Sequence, residues 1–345
     1  MKILILGTGK LDCAAANCGI ALRAMGHEVH HFDPDEHPAA LAHLRKSWET
    51  KRIVNRLLSF AVDQGRLWEP ALLREADAWG PDLVLVIPIT IVSPATIAGL
   101  KRTGARVAGW FQDHIANFGA HAFLVADYDA LFFKDEYTVA RLREGAGLSH
   151  VHWLPEACEP RVHHPLPVSE EDRRRFGCDL MIYGNPYPYR LRLLEGLADR
   201  DLRMYGNGPV RFYGHRLAAK WQGEDLYWDR KIKAVLSAKI VVNTSHFGEI
   251  ESVNARTFEV AGIGGFQLAD APNVADFFTP GEEIATFRGP KELRERIDHY
   301  LQRPEERMAM AEKARERAHR EHTYEKRLSK LLEVVGLAGT RERKA

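Results

Sequence analysis

Asp82-Leu83-Val84-Leu85-Val86-Ile87 is an acid followed by an unbroken apolar run. A strand with one wet face alternates polar and apolar residues; a run without alternation reads as a strand buried on both faces, as in a parallel sheet covered by helices. Similar segments lie on either side of it. Upstream, residues 2–6 form a short apolar strand ending at Gly7-Thr8-Gly9, residues 17–25 read as a helix closed by Gly26, and residues 28–32 as a second strand. Residues 37–78 look mainly helical and amphipathic. Downstream come a helix at 96–102 and strands at 106–111, 130–133 and 150–154. Strands separated by helices predict a doubly wound α/β domain.

A second series begins after 155–167, a stretch with four prolines and no period that reads as a linker. Strands are expected at 179–183, 202–205 and 239–243, a helix at 255–261, a return to the sheet at 264–268, and helices at 290–301, 304–321 and 324–335. The expected organisation is an N-terminal Rossmann-like domain over 1–165, a second over 166–322, and a C-terminal helix with a charged tail over 323–345, packing back on the first domain.

The 345 residues suit two domains, and 48 Lys and Arg against 47 acids give a net charge of +1. That near balance argues against a dedicated nucleic-acid binder, whose domains carry a basic excess. Four cysteines, Cys13, Cys18, Cys158 and Cys178, are too few for a disulfide scaffold, and Cys13 and Cys18 do not have CxxC spacing. Free thiols in a reducing cytosol are expected. The apolar run 3–6 is too short for a signal peptide or membrane span, so a cytoplasmic protein without a transmembrane segment is expected. The pairs His30-His31 and His163-His164 lack the spacing of a helical zinc site, and no metal is expected. The oligomeric state is open.

Several residue groups carry chemistry. Gly7 and Gly9 follow the first strand, but Asp12 stands where a dinucleotide fingerprint needs its third glycine. The turn is therefore a plain strand-to-helix turn or part of a sugar or nucleotide site. Glu251 and Glu259 are separated by seven residues in Glu251-Ser252-Val253-Asn254-Ala255-Arg256-Thr257-Phe258-Glu259. If the helix opens near Asn254, Glu259 lies in its second turn and Glu251 in the preceding loop. A carboxylate suits the vicinal hydroxyls of a ribose, and Arg256 with the helix N-terminal amides suits a diphosphate. The alternative is a solvated helix start with acids favoured by the dipole. Asp113-His114 follow a strand of the first series, where ligands bind in open α/β sheets, and either could serve as an acceptor base. Asp113 could equally be a turn or cap residue and His114 a solvated histidine. Tyr187, Tyr189 and Tyr205 could stack on a base or sugar, or line a core.

Context narrows these readings. Gly184-Asn185-Pro186-Tyr187-Pro188-Tyr189-Arg190, Tyr205-Gly206-Asn207-Gly208, Ala238-Lys239-Ile240-Val241-Val242-Asn243 and the block from Asn254 through Arg256-Thr257-Phe258-Glu259 to Gly264-Gly265-Phe266 occur in order. Phe277-Phe278, Gly281-Glu282-Glu283-Ile284, Glu321-His322-Thr323-Tyr324 and Arg327 follow. The N-terminal half adds Pro81-Asp82-Leu83, Trp110-Phe111-Gln112-Asp113 and Leu154-Pro155-Glu156-Ala157. Together these resemble the CgeB-like glycosyltransferases, a branch of the GT-B superfamily.

The resemblance implies two Rossmann-like domains facing across a cleft, the second holding a nucleotide-sugar, by default a UDP-sugar, and the first the hydroxyl acceptor. It implies that Glu259 takes the donor ribose and Glu251 contacts the donor sugar. Arg190 would be one of a basic pair, its partner Lys231, Lys233 or Lys239. Asn254, Arg256, Gly184, Asn185, Gly206, Asn243, Gly7 and Gly9 complete the expected donor site, with Asp113 and His114 beside Glu251 as catalytic candidates. No cofactor beyond the donor is expected, and the E-x7-E element favours retention of anomeric configuration. A nucleotide-sugar epimerase or hydrolase, or a non-catalytic nucleotide-sugar or glycan binder, would use the same scaffold.

Overall fold

The computed structural model describes residues 1–10, 12–37, 50, 53, 67–87, 92–113, 122–206, 216–270 and 272–338. His114 and most of 37–78 lie outside them. The chain divides into two compact units, Met1–Leu154 with Leu328–Ala345, and Pro155–Arg327. It passes from one to the other at 154/155 and back at 327/328.

The first unit holds a six-stranded sheet of β1 (Lys2–Leu6), β2 (Glu28–Phe32), β3 (Leu83–Val86), β4 (Arg106–Phe111), β5 (Ala130–Phe133) and β6 (Val151–Trp153), in the order β2-β1-β3-β4-β5-β6. Every pairing is parallel. All four residues of β3 are buried, as its unbroken apolar run requires. Asp82 falls just outside because its carboxylate accepts the backbone N–H of Lys2 at 2.7 Å. The helices are α1 (Ala14–Ala24), α2 (Glu69–Trp79), α3 (Pro94–Arg102) and α4 (Glu136–Ala146). α1 starts three residues before the expected 17, from Cys13 as N-cap.

The second unit holds β7 (Cys178–Tyr183), β8 (Leu202–Tyr205), β9 (Ala238–Asn243), β10 (Gln267–Ala269) and β11 (Ala285–Thr286), in the order β11-β10-β9-β7-β8 and again all parallel. Its helices are α5 (Glu170–Phe176), α6 (Pro188–Leu194), α7 (Trp228–Ser237), α8 (Ala255–Ile263), α9 (Gly289–Leu301) and α10 (Pro304–Glu321), and α11 (Tyr324–Val334) begins in this unit and ends in the first. Gly264, at φ +85°, closes α8 in the left-handed conformation that a helix C-terminus favours, so the strand resumes only at Gln267. The neighbours β7 and β9 mark the switch point of the second sheet, and ligands of such sheets bind beyond the C-terminal strand ends there.

The proline-rich stretch 155–167 is not a solvated connector. Cys158, Glu159 and His163 are fully buried. The Cys158 N–H donates to the His322 carbonyl at 2.9 Å, and the Tyr324 N–H to the Cys158 carbonyl at 3.0 Å. Proline composition reports where regular ladders stop, not where burial stops; here extended chain is pinned by a bridge to residues over 150 positions away.

Candidate functional site

At the C-terminal ends of β7, β8 and β9, two glycines let backbones and side chains close in. Gly184 has φ +99°, and a Cβ there would lie 2.3 Å from Arg256 Nη1. Gly206 has φ +143°, and its Cβ would lie 2.4 Å from the Gly184 carbonyl oxygen. Both positions demand glycine on conformation and on space.

Two guanidiniums converge beside them. Arg190, on the buried face of α6 and 2% exposed, donates from Nε to Thr244 Oγ1 at 2.6 Å, from Nη2 to the Thr244 carbonyl at 3.0 Å, and from Nη1 to the Asn185 carbonyl. Arg256, in the first turn of α8, donates from Nη2 to the same Thr244 carbonyl at 2.8 Å and from Nε to Asn243 Oδ1 at 3.2 Å. Their planes lie over tyrosine rings, Arg190 5.5 Å from Tyr187 and Arg256 5.8 Å from Tyr183. Among the described residues all these hydrogen bonds go to neutral acceptors. Burial, and then the positive charge of Arg256, pull the Arg190 guanidinium down to about 9, so it is still a cation at neutral pH. Asp270 lies near the pair; burial raises its carboxyl, and it accepts the Ser245 N–H at 2.7 Å.

The N-terminus of α8 adds positive potential. Asn254 is its N-cap residue, yet its side chain makes no cap bond. Asn254 Oδ1 and Ser252 Oγ are buried without a hydrogen-bond partner among the described residues. Two fixed cations and a helix N-terminus form a setting that favours a polyanion such as a diphosphate.

Glu259 stands in the second turn of α8, as its spacing predicts. Its Oε2 accepts the Tyr183 hydroxyl at 3.2 Å and lies 3.1 Å from Lys231 Nζ. Its Oε1 lies 3.8 Å from His163 Nε2. His163 Nδ1 accepts the Glu159 N–H at 2.9 Å, and its Nε2 lies 3.3 Å from Lys231 Nζ. The group thus has its position set through Oε2 and keeps acceptor capacity on Oε1.

Of the three candidate lysines, Lys231 is the one on this carboxylate. Lys233 pairs with Asp172 at 3.2 Å and Lys239 with Asp179 at 2.7 Å. Asn243 plays an indirect part: its amide nitrogen donates to Thr257 Oγ1 and Gln267 Oε1, both at 3.0 Å, and its oxygen holds Arg256. It is a positioning residue in this structure, not a ligand-facing one. Asn185 contributes its carbonyl to Arg190, and its Nδ2 lies 3.4 Å from the Tyr187 hydroxyl. Glu251 is exposed in the loop before α8. Gly7 and Gly9, in the first unit, are explained by packing: a Cβ on Gly7 would sit 2.7 Å from the Ala15 Cβ, and one on Gly9 3.0 Å from the His31 ring. Asp113 is exposed just past β4. Sequence reading missed His163, Tyr183 and Thr244 as members of the site. Only Tyr183, as the last residue of an apolar strand, carried a signal.

The family described as Glycosyl transferase-like matches residues 173–333, the stretch that holds the two arginines, Lys231 and Glu259. Spore protein CgeB of Bacillus subtilis (strain 168) is 22% identical over 260 residues, covering 70% of this chain and 79% of that protein. The resemblance to CgeB seen in the motifs is therefore present along most of the chain. Among solved structures, sucrose-phosphate synthase from Thermosynechococcus elongatus superposes with a TM-score of 0.65 at 12% identity, over 97% of this chain and 98% of that one. Anabaena Alr3699/HepE in complex with UDP-glucose gives 0.65 at 12% identity, over 97% and 99%. The fold is that of the GT-B glycosyltransferases, two parallel α/β units. No helix among the described residues is long and apolar enough to cross a membrane.

Proposed function

We propose that this chain is a glycosyltransferase that moves a sugar from a nucleotide-sugar, first of all a UDP-sugar, to a hydroxyl acceptor, without a metal ion and with retention of configuration. The observation that carries this reading is the pair Arg190 and Arg256, two cations on one carbonyl at the end of β9 beside the N-terminus of α8. In glycosyl transfer the bond from the anomeric carbon to the diphosphate oxygen breaks, and negative charge grows on the leaving group. Fixed guanidiniums and helix amides stabilise that charge without reorganising, the task a divalent ion performs elsewhere. Glu259 Oε1 accepts the ribose hydroxyls while Lys231, Tyr183 and His163 hold the carboxylate in place. Glu251, on the loop before α8, contacts the transferred sugar. The acceptor hydroxyl proton passes to the departing phosphate oxygen as the new bond forms on the same face. Asp113 and His114 are the candidates in the first unit for orienting the acceptor.

The test is a thermal-shift panel of UDP-, GDP-, dTDP- and CMP-sugars followed by product mass spectrometry with chelator present. Binding only to the native state at about 100 times Kd stabilises by about 2.7 kcal/mol, so one nucleotide class should raise Tm. Product that requires an added acceptor marks transfer; sugar released or isomerised without one marks a hydrolase or epimerase. No Tm response to any nucleotide overturns the reading.

A further inference from the structure

Next to the arginine pair, the second unit presents aromatic rings to solvent. Phe247 is 71% and Tyr189 47% exposed. They are neighbours, with ring centroids 6.1 Å apart. The His246 ring lies 4.5 Å from Phe247 and 5.0 Å, edge-on, from Tyr187, whose face carries Arg190. The cluster is thus continuous with the arginine pair through Tyr187. Its presentation is built in: the Glu249 N–H donates to the His246 carbonyl at 3.0 Å, and the Gly248 N–H to His246 Nδ1 at 3.2 Å. This tight turn holds Phe247 at its tip. Pro188 at the start of α6 fixes the backbone beside Tyr189.

We propose that Tyr189 and Phe247 form a stacking platform for a neutral oligosaccharide; its use in the transfer rests on the donor reading above. Exposed, contiguous aromatic faces mark binding surfaces rather than random composition. The partner is identified by what surrounds them. The carboxylates of Glu249 and Glu251 lie on the same loop, and carboxylates accept hydroxyl hydrogens. A single-stranded nucleic acid or an anionic membrane would need a row of exposed, unengaged cations here, whereas Arg190 is 2% exposed and bonded to Thr244 and Asn185, and Arg192 pairs with Glu195. Flat aromatic faces with acids beside them match the C–H faces and hydroxyls of a pyranose chain.

The experiment uses the full chain with saturating UDP, and cellotriose, maltotriose and the fully N-acetylated chitotriose as probes, read by saturation-transfer NMR and titration calorimetry. At least one probe should bind, with transfer from aromatic protons to sugar C–H groups. Phe247→Ala and Tyr189→Ala should each weaken it about tenfold, about 1.4 kcal/mol, with Phe247→Tyr close to wild type. The UDP affinity of these variants should stay within about twofold of wild type, which also reports that they fold. No binding by any of the three probes, or binding indifferent to both alanine variants, overturns the platform. So does dimerisation, or binding to anionic vesicles, that Phe247→Ala abolishes. The UDP titration separates the two readings. Sugar binding at Phe247 without UDP binding leaves the platform standing and removes the donor reading; UDP binding without sugar binding does the reverse.

Discussion

The carbonyl oxygen of Thr244 has two lone pairs and three donors directed at it: Arg190 Nη2 at 3.0 Å, Arg256 Nη2 at 2.8 Å and Asn254 Nδ2 at 3.4 Å. Such a donor excess around one neutral acceptor is relieved by an anion with several oxygens. Arg256→Ala should therefore lower nucleotide affinity by roughly tenfold to a hundredfold, about 1.5–3 kcal/mol for charge-assisted bonds, measured by calorimetry. The same change should leave the Tm of the free protein level or higher, because it removes a like charge next to Arg190. A fall in free-protein Tm with unchanged affinity would make Arg256 a structural residue. Arg256→Lys should recover little, since an ammonium cannot hold both Asn243 and Thr244 in the fork geometry.

The strand-end glycines show how similar substitutions diverge according to what they meet. A Cβ on Gly184 would meet the far end of a side chain, Arg256 Nη1, whereas one on Gly206 would meet backbone, the Gly184 oxygen. Gly184→Ala carries the strain of φ +99° and also displaces the guanidinium, so it should weaken nucleotide binding as well as lower stability. Gly206→Ala pushes strand ends apart and should mainly lower stability, by about 1–3 kcal/mol in urea unfolding. Equal effects of the two on both readouts would contradict this geometry.

The junction of α10 and α11 carries a pH dependence. His322 is buried against Phe258, Phe277 and Phe278, with Nε2 donating to the Phe277 carbonyl at 2.9 Å and Nδ1 3.3 Å from Arg327 Nη2. Burial pulls its imidazole down to about 4. The unfolded chain takes up this proton near pH 6.5 and the folded chain does not, so stability present above that pH is lost as pH falls towards 4. The expected slope is up to about 1.4 kcal/mol per pH unit, and His322→Gln should flatten it in a Tm series from pH 7 to 4.5.

In the whole molecule, the chain crosses from the first unit to the second and returns inside one helix, α11, whose later part belongs to the first unit. Leu328 and Leu331 in that part are fully buried. Leu331→Ala should reduce stability by about 2–5 kcal/mol, seen as a lower urea midpoint, while the proposed nucleotide site of the second unit keeps its affinity.

Local pattern was enough for much of this architecture. The unbroken run at β3, the apolar strands ending at Gly7, Gly184 and Gly206, and the helix that puts Glu259 in its second turn follow from periodicity and turn chemistry, which act over a few residues. Arg256 was legible from its place at the helix start between Glu251 and Glu259, and Arg190 from the family resemblance. Tertiary structure alone decided that Lys231 and not Lys233 or Lys239 meets Glu259, that His163 joins them from 68 residues before Lys231, that Asn243 faces inward to hold Arg256, and that Cys158, Glu159 and His163 of the proline-rich stretch are buried. The reason is range: turns and amphipathic faces are written in neighbouring residues, whereas a buried charge finds its partner only through the packing of elements far apart in the chain.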